Sequence, residues 1–294
     1  MFSMMSRWLI PLRLPRYGFF VGVIARNEAR YIREWVAHHL AIGFDHIFLF
    51  DNESTDNLKA ALGGIARKHL TYIWWPRDSD GRAIQQEAYT RLHRELQTLL
   101  PESWILFIDV DEFLVLKKHD SIRELIDDLG SVDAVAFNWR LFGDSGQDRF
   151  APGFVADRFT WASLSGFHHN GHLKTMGRIS MILQPDIHWH RLEQGARIVD
   201  PDGKPFPLDY GPFGPRITHE TAQLNHYFTK SAEEWRARRS AGRADMKLGS
   251  PNFRRPESEF YEYNRNDIKD YEIFRHRDKL HSTIASFGRW SRLT

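Results

Sequence analysis

The sequence contains no cysteine, which removes a disulfide framework, a thiolate metal site and a cysteine nucleophile together. That absence is compatible with a reducing cytoplasm. A long hydrophobic run is also missing. The leader MFSMMSRWLIPLRLPR interleaves apolar residues with Arg7, Arg13 and Arg16 and is broken by Pro11 and Pro15, so it reads neither as a signal-peptide core nor as a membrane span. It is expected to pack on the body of the protein, with a peripheral contact at a membrane headgroup boundary as the alternative. There is no internal repeat, no low-complexity tract and no GxxxxGK[ST] phosphate loop. Charge of one sign is scarce: the net value of +2 is too small to mark a nucleic-acid binder, although the chain is Arg-rich from about residue 230.

What is plentiful is large apolar surface. Ten Trp and twenty-one Phe in 294 residues are enough to build one substantial core and line a pocket. From Tyr17 the pattern is regular. YGFFVGVI (17–24) is a strand with two buried faces, and Ile32, Trp35, Val36, His39 and Leu40 repeat at helical spacing, with Gly43 placed to end the helix. HIFLF (46–50), LTYIWW (70–75), WILFI (104–108) and DAVAFNWRLF (133–142) are further strands. Helices are expected over 83–100 and over 121–130, the second with Ser121 and Glu124 in capping-box spacing. Strands alternating with helices imply right-handed crossovers and an α/β, mostly parallel sheet covered by helices.

In such a sheet, ligands collect beyond the carboxyl ends of the strands. RNE, DNES and DVDEF follow the first, second and fourth strands, and folding alone does not require three polar, acidic loops on one edge. Asp109 and Asp111 would repel and be desolvated at the end of a buried strand unless a cation neutralises them. Hard oxygen ligands favour Mg2+ or Mn2+, with open positions for substrate phosphates. Glu112, on the opposite side of an uninterrupted strand, would support the site from behind.

FVGVIARNEARYIREW, FLFDNESTDN and WILFIDVDEF, followed by WRLFGDSG, HLKTMGRI and LNHYFTKSAEEWRARR, together resemble the nucleotide-sugar glycosyltransferases of the GT-A type, close to family 2 and to the family 92 (DUF23-like) group. The resemblance is fullest over residues 17–145. It implies a Rossmann-like GT-A catalytic domain over 17–229, with a nucleotide-sugar-binding half (17–143) and an acceptor-side half (144–229), after a leader (1–16) and before a basic helical extension (230–294). It further implies that Arg26, Asn27, Glu28, Asp51, Asn52 and Ser54 hold the base and ribose of the donor, a UDP-sugar by expectation. Arg82 and Gln86 would lie near the nucleotide or phosphates. Asp109 and Asp111 would form a DxD metal pair, with His226 as third ligand and His190 as its rival. Lys174, ahead of Arg178 and Lys230, would meet the diphosphate.

The resemblance implies inversion at the anomeric carbon, with a carboxylate taking the acceptor proton. Asp144 in the FGDSG loop is preferred to Asp186 and Glu193 because it follows a strand in a Gly-bounded loop. The acceptor would be a glycan or lipid-linked saccharide, the setting cytoplasmic or peripheral on the inner face of a membrane, and nucleic acid is not an expected partner. Ser231 and Glu234 have capping-box spacing at the head of a basic helix, whose Arg side chains either clamp phosphates or form a solvated face. Two other readings compete: a Mg2+-dependent nucleotidyltransferase, disfavoured because ARNEAR has no glycine, and a non-catalytic basic binding module, which would survive neutralisation of Asp109 and Asp111.

Overall fold

The computed structural model describes residues 14–76, 84–207, 211, 213–241 and 253–288. The first half follows the expected alternation: β1 (Phe19–Ala25), α1 (Ile32–Ala41), β2 (His46–Asp51), α2 (Leu58–Ala61), β3 (Leu70–Trp74), α3 (Ile84–Leu99), β4 (Trp104–Phe107), β5 (Glu112–Leu116), α4 (Ile122–Leu129) and β6 (Ala134–Leu141). Shorter pieces come next: α5 (Val155–Arg158), β7 (Trp161–Ala162), β8 (Leu173–Arg178), β9 (Ile182–Gln184), β10 (Arg191–Leu192) and β11 (Ile198–Val199). The chain then runs through β12 (Ala222–His226), α6 (Ala232–Ala241), α7 (Ser258–Tyr263), β13 (Ile268–Lys269) and α8 (Arg277–Ser286).

The main sheet has the order β3-β2-β1-β4-β8-β6-β12-β5, with β11 added beside β6. β3, β2, β1 and β4 are parallel neighbours, as are β6 and β12, whereas β8 runs antiparallel between β4 and β6 and β5 antiparallel along β12. The result is a mixed α/β fold with a largely parallel sheet flanked by helices.

Alternation along β1 explains its two-sided burial. Phe19, Val21 and Val23 join the core that includes Trp35 of α1, while Phe20 and Ile24 join the one that includes Tyr89 and Leu92 of α3. Gly22 is required where these layers meet, because a Cβ there would lie 2.4 Å from the Phe107 ring. Ser121 caps α4 as expected, its hydroxyl accepting from the Glu124 N–H at 3.2 Å, and Gly43 with φ +97° follows α1.

One feature departs from the sequence reading. FLVL does not prolong the WILFI strand; the chain turns through Asp109–Asp111, with the Glu112 N–H bonded to the Asp109 carbonyl at 3.0 Å, and re-enters the sheet as β5 at its edge. The last segment packs against the body of the protein. Leu280 and Phe287 pack into the core that holds Trp35, and the Arg33 guanidinium donates to the carbonyls of Gly63 (2.8 Å) and Phe287 (3.2 Å). Gly64 permits this contact: its φ is +82° and a Cβ would lie 1.8 Å from the Phe287 carbonyl oxygen. No helix among the described residues is long and apolar enough to cross a membrane.

Candidate active site

The loops after β1, β2 and β4 converge as the strand order demands. The Asn27 N–H donates to Ser54 Oγ at 2.9 Å and Asn27 Oδ1 accepts from the Thr55 N–H at 2.7 Å, with Asn27 itself at φ 57°. The Asn52 N–H bonds the Ala25 carbonyl at 2.9 Å, so the two loops are laced together where β1 and β2 end. Asp51 is buried, accepting from Tyr72 Oη at 2.6 Å and from the Ser54 N–H at 2.9 Å. Arg26 ends the first strand with its Nε and Nη1 buried and without a protein partner. A guanidinium edge left unsatisfied in this way is a ready anion donor.

Asp109 and Asp111 lie at the tip of the turn after β4, and each faces a different cation. Asp109 Oδ2 is 3.0 Å from the Lys174 ammonium, and its Oδ1 accepts from Gln85 Nε2 at 2.9 Å. Lys174, fully buried on β8, also reaches Glu112 Oε2 at 3.2 Å. The Asp111 carboxylate contacts the Arg238 guanidinium, extended from α6, and its Oδ2 lies 3.5 Å from His226 Nε2 on β12. The mutual repulsion that suggested a metal is therefore offset here by two protein cations.

Burial pulls against the charge on Lys174, but Asp109 and Glu112 outweigh it and raise its pKa. Burial likewise opposes ionisation of Asp111, and Arg238 with His226 overcomes it, holding the carboxyl well below its usual range. Glu112 is the acid left over: burial, with Asp109 and Asp111 beside it, pushes it up to about 8 despite Lys174. Its carboxylate is also a structural hub, accepting from the Asp109 N–H at 2.8 Å and from Trp139 Nε1 at 2.7 Å. It supports the turn through these bonds, not from the far side of an uninterrupted strand.

The donor chemistry fits a hard dication. Two carboxylates come from the turn after β4 and an imidazole from β12, and burial lowers the pKa of His226, favouring the neutral ring that coordinates metal. His226 Nδ1 is buried without a partner. Arg238, whose side chain is 32% exposed, also donates from Nη1 to the Phe228 carbonyl at 2.9 Å, and Asp109 is 35% exposed on its open side. Among the described residues, the one group whose three donor atoms all lie within 4.8 Å of one another is elsewhere, at His168, His169 and Glu262.

The other expected residues fall out as follows. Glu28 points toward the cluster: burial raises its carboxyl, with Lys230 3.9 Å away opposing. Gln86 donates to the Pro185 carbonyl, whereas its neighbour Gln85 is the one on Asp109. Arg82 lies outside the described residues. Arg178 sits at the far end of β8 on Glu102, and His190 is packed edge-on to Phe107 with Nδ1 accepting from the Asp186 N–H at 3.2 Å, so neither reaches Asp111. Glu193 is exposed.

Asp144 makes no contact with Asp109, Asp111 or Lys174. Its carboxylate takes the Gly146 N–H (2.9 Å), Asn264 Nδ2 (2.9 Å) and Asn266 Nδ2 (3.0 Å), tying the end of β6 to the segment after α7. Gln85 had no motif to flag it, and Arg238 was covered only as one of the arginines of the basic helix; i, i+4 spacing on α3 puts Gln85 beside Tyr89, which its amide also contacts at 3.0 Å.

Residues 22–158 match the model of glycosyltransferase family 92. A glycosyltransferase family 92 protein of Oryza sativa subsp. japonica is 24% identical over 204 residues, 65% of this chain and 34% of the relative. One from Ricinus communis is 25% identical over 188 residues, 62% of this chain and 33% of the relative. The chain thus spans about a third of the length of these relatives. Among solved structures, HddC from Yersinia pseudotuberculosis overlaps with a TM-score of 0.34 at 12% identity, covering 62% of this chain and 88% of that one. Glucosyl-3-phosphoglycerate synthase from Mycobacterium tuberculosis, solved with Mn2+, UDP and glucosyl-3-phosphoglycerate, overlaps with a TM-score of 0.27 at 21% identity, covering 42% of this chain and 44% of that one.

Proposed function

We propose that this chain, which groups with glycosyltransferase family 92 through residues 22–158, transfers a sugar from a nucleotide-sugar donor, a UDP-sugar by preference, to a hydroxyl of a glycan or lipid-linked saccharide. The observation that carries the reading is the pair Asp109 and Asp111 at the carboxyl edge of the sheet, beside His226 and the laced Asn27–Ser54 loops. Asp51, Asn27 and Ser54 hold base and ribose, and the free edge of Arg26 takes a phosphate oxygen.

Asp109, Asp111 and His226 are the residues that would hold Mn2+ or Mg2+. When bound, such an ion supplies a Lewis acid for the charge on the departing nucleoside diphosphate. Arg238, reaching from α6, would stabilise the same charge by donating to a diphosphate oxygen. Transfer with inversion needs a carboxylate at the acceptor hydroxyl. Asp144 takes that role only if Asn264 and Asn266 release it.

The test is turnover. Asp111→Ala should abolish Mn2+-dependent hydrolysis or transfer of a UDP-sugar while circular dichroism stays native. In a thermal-shift panel of UDP, GDP and dTDP compounds with and without Mn2+, at least one should raise the melting temperature of the wild type. Activity that persists both in Asp111→Ala and in chelator refutes the proposal.

A further inference from the structure

Successive residues of a strand point to opposite faces. Trp139 sends its indole to Glu112 and packs against His226, so the next residue of β6, Arg140, faces away from the candidate active site. On β12, Gln223 likewise opposes His226. Behind the sheet, between these two side chains and the 269–275 segment, lies a polar cavity of about 520 Å³ that shares none of the residues described above.

Its base is built. The Arg140 side chain is 7% exposed; Nε donates to Asp270 Oδ2 at 3.2 Å and Nη1 to Ser165 Oγ at 3.0 Å, leaving Nη2 without a protein partner. Asp270 is also engaged elsewhere: its Oδ2 accepts from Gln223 Nε2 at 3.0 Å and its Oδ1 from the Glu272 N–H at 3.1 Å. Gln223 donates to Asp270 and Asn225, and its Oε1 is left over as an acceptor. At the mouth, Lys269 is exposed without a carboxylate partner, and the exposed Tyr271 offers a ring. Four cations line the cavity against three acids; Asp270 and Glu272 are matched by Arg140 and Lys117, and Arg275 by Asp120 outside the lining, which leaves Lys269 as the cation without a carboxylate partner. Glu220, the third, is exposed.

We propose that this cavity is a second ligand site, specific for an oxyanion, carboxylate or phosphate ester, carried on a small hydroxylated molecule. Arg140 Nη2 receives the oxyanion, Lys269 adds the second charge, and Gln223 Oε1 with the Tyr271 ring takes the hydroxylated body. Water in the cavity can hydrate Nη2, whereas an anion there would make a charge-assisted bond to the guanidinium, roughly twice as strong as a neutral one. The site is independent of the donor reading, since it would bind whether or not a sugar is transferred.

Isothermal titration of the full chain with inorganic phosphate, glucuronate and glucose tests it. Glucuronate or phosphate should bind at one site per chain, and the arm that binds tells carboxylate from phosphate; glucose should bind at least about tenfold more weakly than the preferred anion, a difference of about 1.4 kcal/mol. Lys269→Glu should weaken that anion by a similar factor, and Arg140→Lys should abolish its binding. Where Arg140→Lys fails to fold, Ser165→Glu, which places a carboxylate beside the guanidinium, serves in its place. No binding of either anion, glucose binding as tightly as glucuronate, or anion binding untouched by Lys269→Glu but lost in Arg238→Gln each overturns the proposal.

Discussion

Replacing Lys174 by Met probes the electrostatic centre directly. The ammonium is fully buried, 3.0 Å from Asp109 and 3.2 Å from Glu112. With an effective dielectric constant of about 20, Coulomb's law gives a gross attraction of roughly 5 kcal/mol for each contact. Most of that is cancelled by desolvation of the three ions, and breaking a buried pair typically costs about 3–5 kcal/mol. Two features hold Lys174→Met to the lower end, about 3 kcal/mol at pH 7. Asp109 is one-third exposed and can be hydrated, and Glu112, pushed up to about 8, is already largely protonated at pH 7, so its contact is weaker than a full ion pair. The second feature sets a sign. An acid whose pKa is raised on folding loses stability as pH rises from its unfolded value, 4.5, through its folded one, so the deficit of the variant should shrink at pH 5 and grow at pH 9. Urea unfolding followed by tryptophan fluorescence measures it, and a thermal scan should show a drop of about 6 °C, at about 2 °C per kcal/mol for a chain of this size. Glu112→Gln in the same background should recover much of the loss. A variant within about 1 kcal/mol of wild type at both pH 7 and pH 9 would refute the reasoning.

Arg238→Gln leaves Asp111 with a weaker partner. Because the arginine is about one-third exposed, the cost without metal should be only about 1 kcal/mol, while Mn2+ alone should raise the melting temperature by more than in wild type; an equal shift would count against Arg238 as a replaceable counter-ion. Glu34 is buried, accepting from the Val155 and Ala156 N–H groups, and burial pushes its carboxyl up to about 7. It therefore favours folding below pH 4.5 and loses that contribution as pH rises to 7, by up to about 3 kcal/mol. Glu34→Gln should flatten this part of the stability curve, measured as the difference from wild type so that His38 and His46, which burial lowers to about 4, cancel out. Asp144→Asn should speed hydrogen exchange in 259–276, and Asn264→Ala should do the same. If Asp144→Asn instead abolishes turnover with exchange unchanged, the carboxylate acts as the acceptor base rather than a staple.

The parallel half of the sheet was legible because its strands advertise themselves. FFVGVIA and HIFLFD are apolar on both faces, Ser121 and Glu124 cap a helix in three residues, and each polar loop follows a strand. The antiparallel half was not. β8 and β12 carry Lys174, Asn225 and His226 among their buried residues, so their periodicity is masked by the polar groups they deliver to the site or to the cavity behind it. FLVL looked like more of WILFI because a sharp turn needs no glycine or proline when its backbone is held by Glu112. The partners of Gln85 and Arg238 were illegible for another reason. A helix face shows which residues neighbour one another, but the partner across the fold, Asp109 or Asp111, is decided by packing that no local pattern records. The Ser231 and Glu234 pair was readable for the opposite reason, since its bonds close within three residues.

The order in which the counter-ions occur along the chain has a consequence for biosynthesis. Asp109, Asp111 and Glu112 are translated first, Lys174 some sixty residues afterwards, and Arg238 later still, with Phe287 needed to seal the Trp35 core. A nascent chain halted between these points carries a carboxylate cluster with no basic side chain to face it, so the turn after β4 should stay hydrated and open until α6 has left the ribosome. Ribosome-bound intermediates cut off before Lys174 should accordingly be protease-sensitive at 109–112, and protection should arrive in two steps, with Lys174 and then with Arg238.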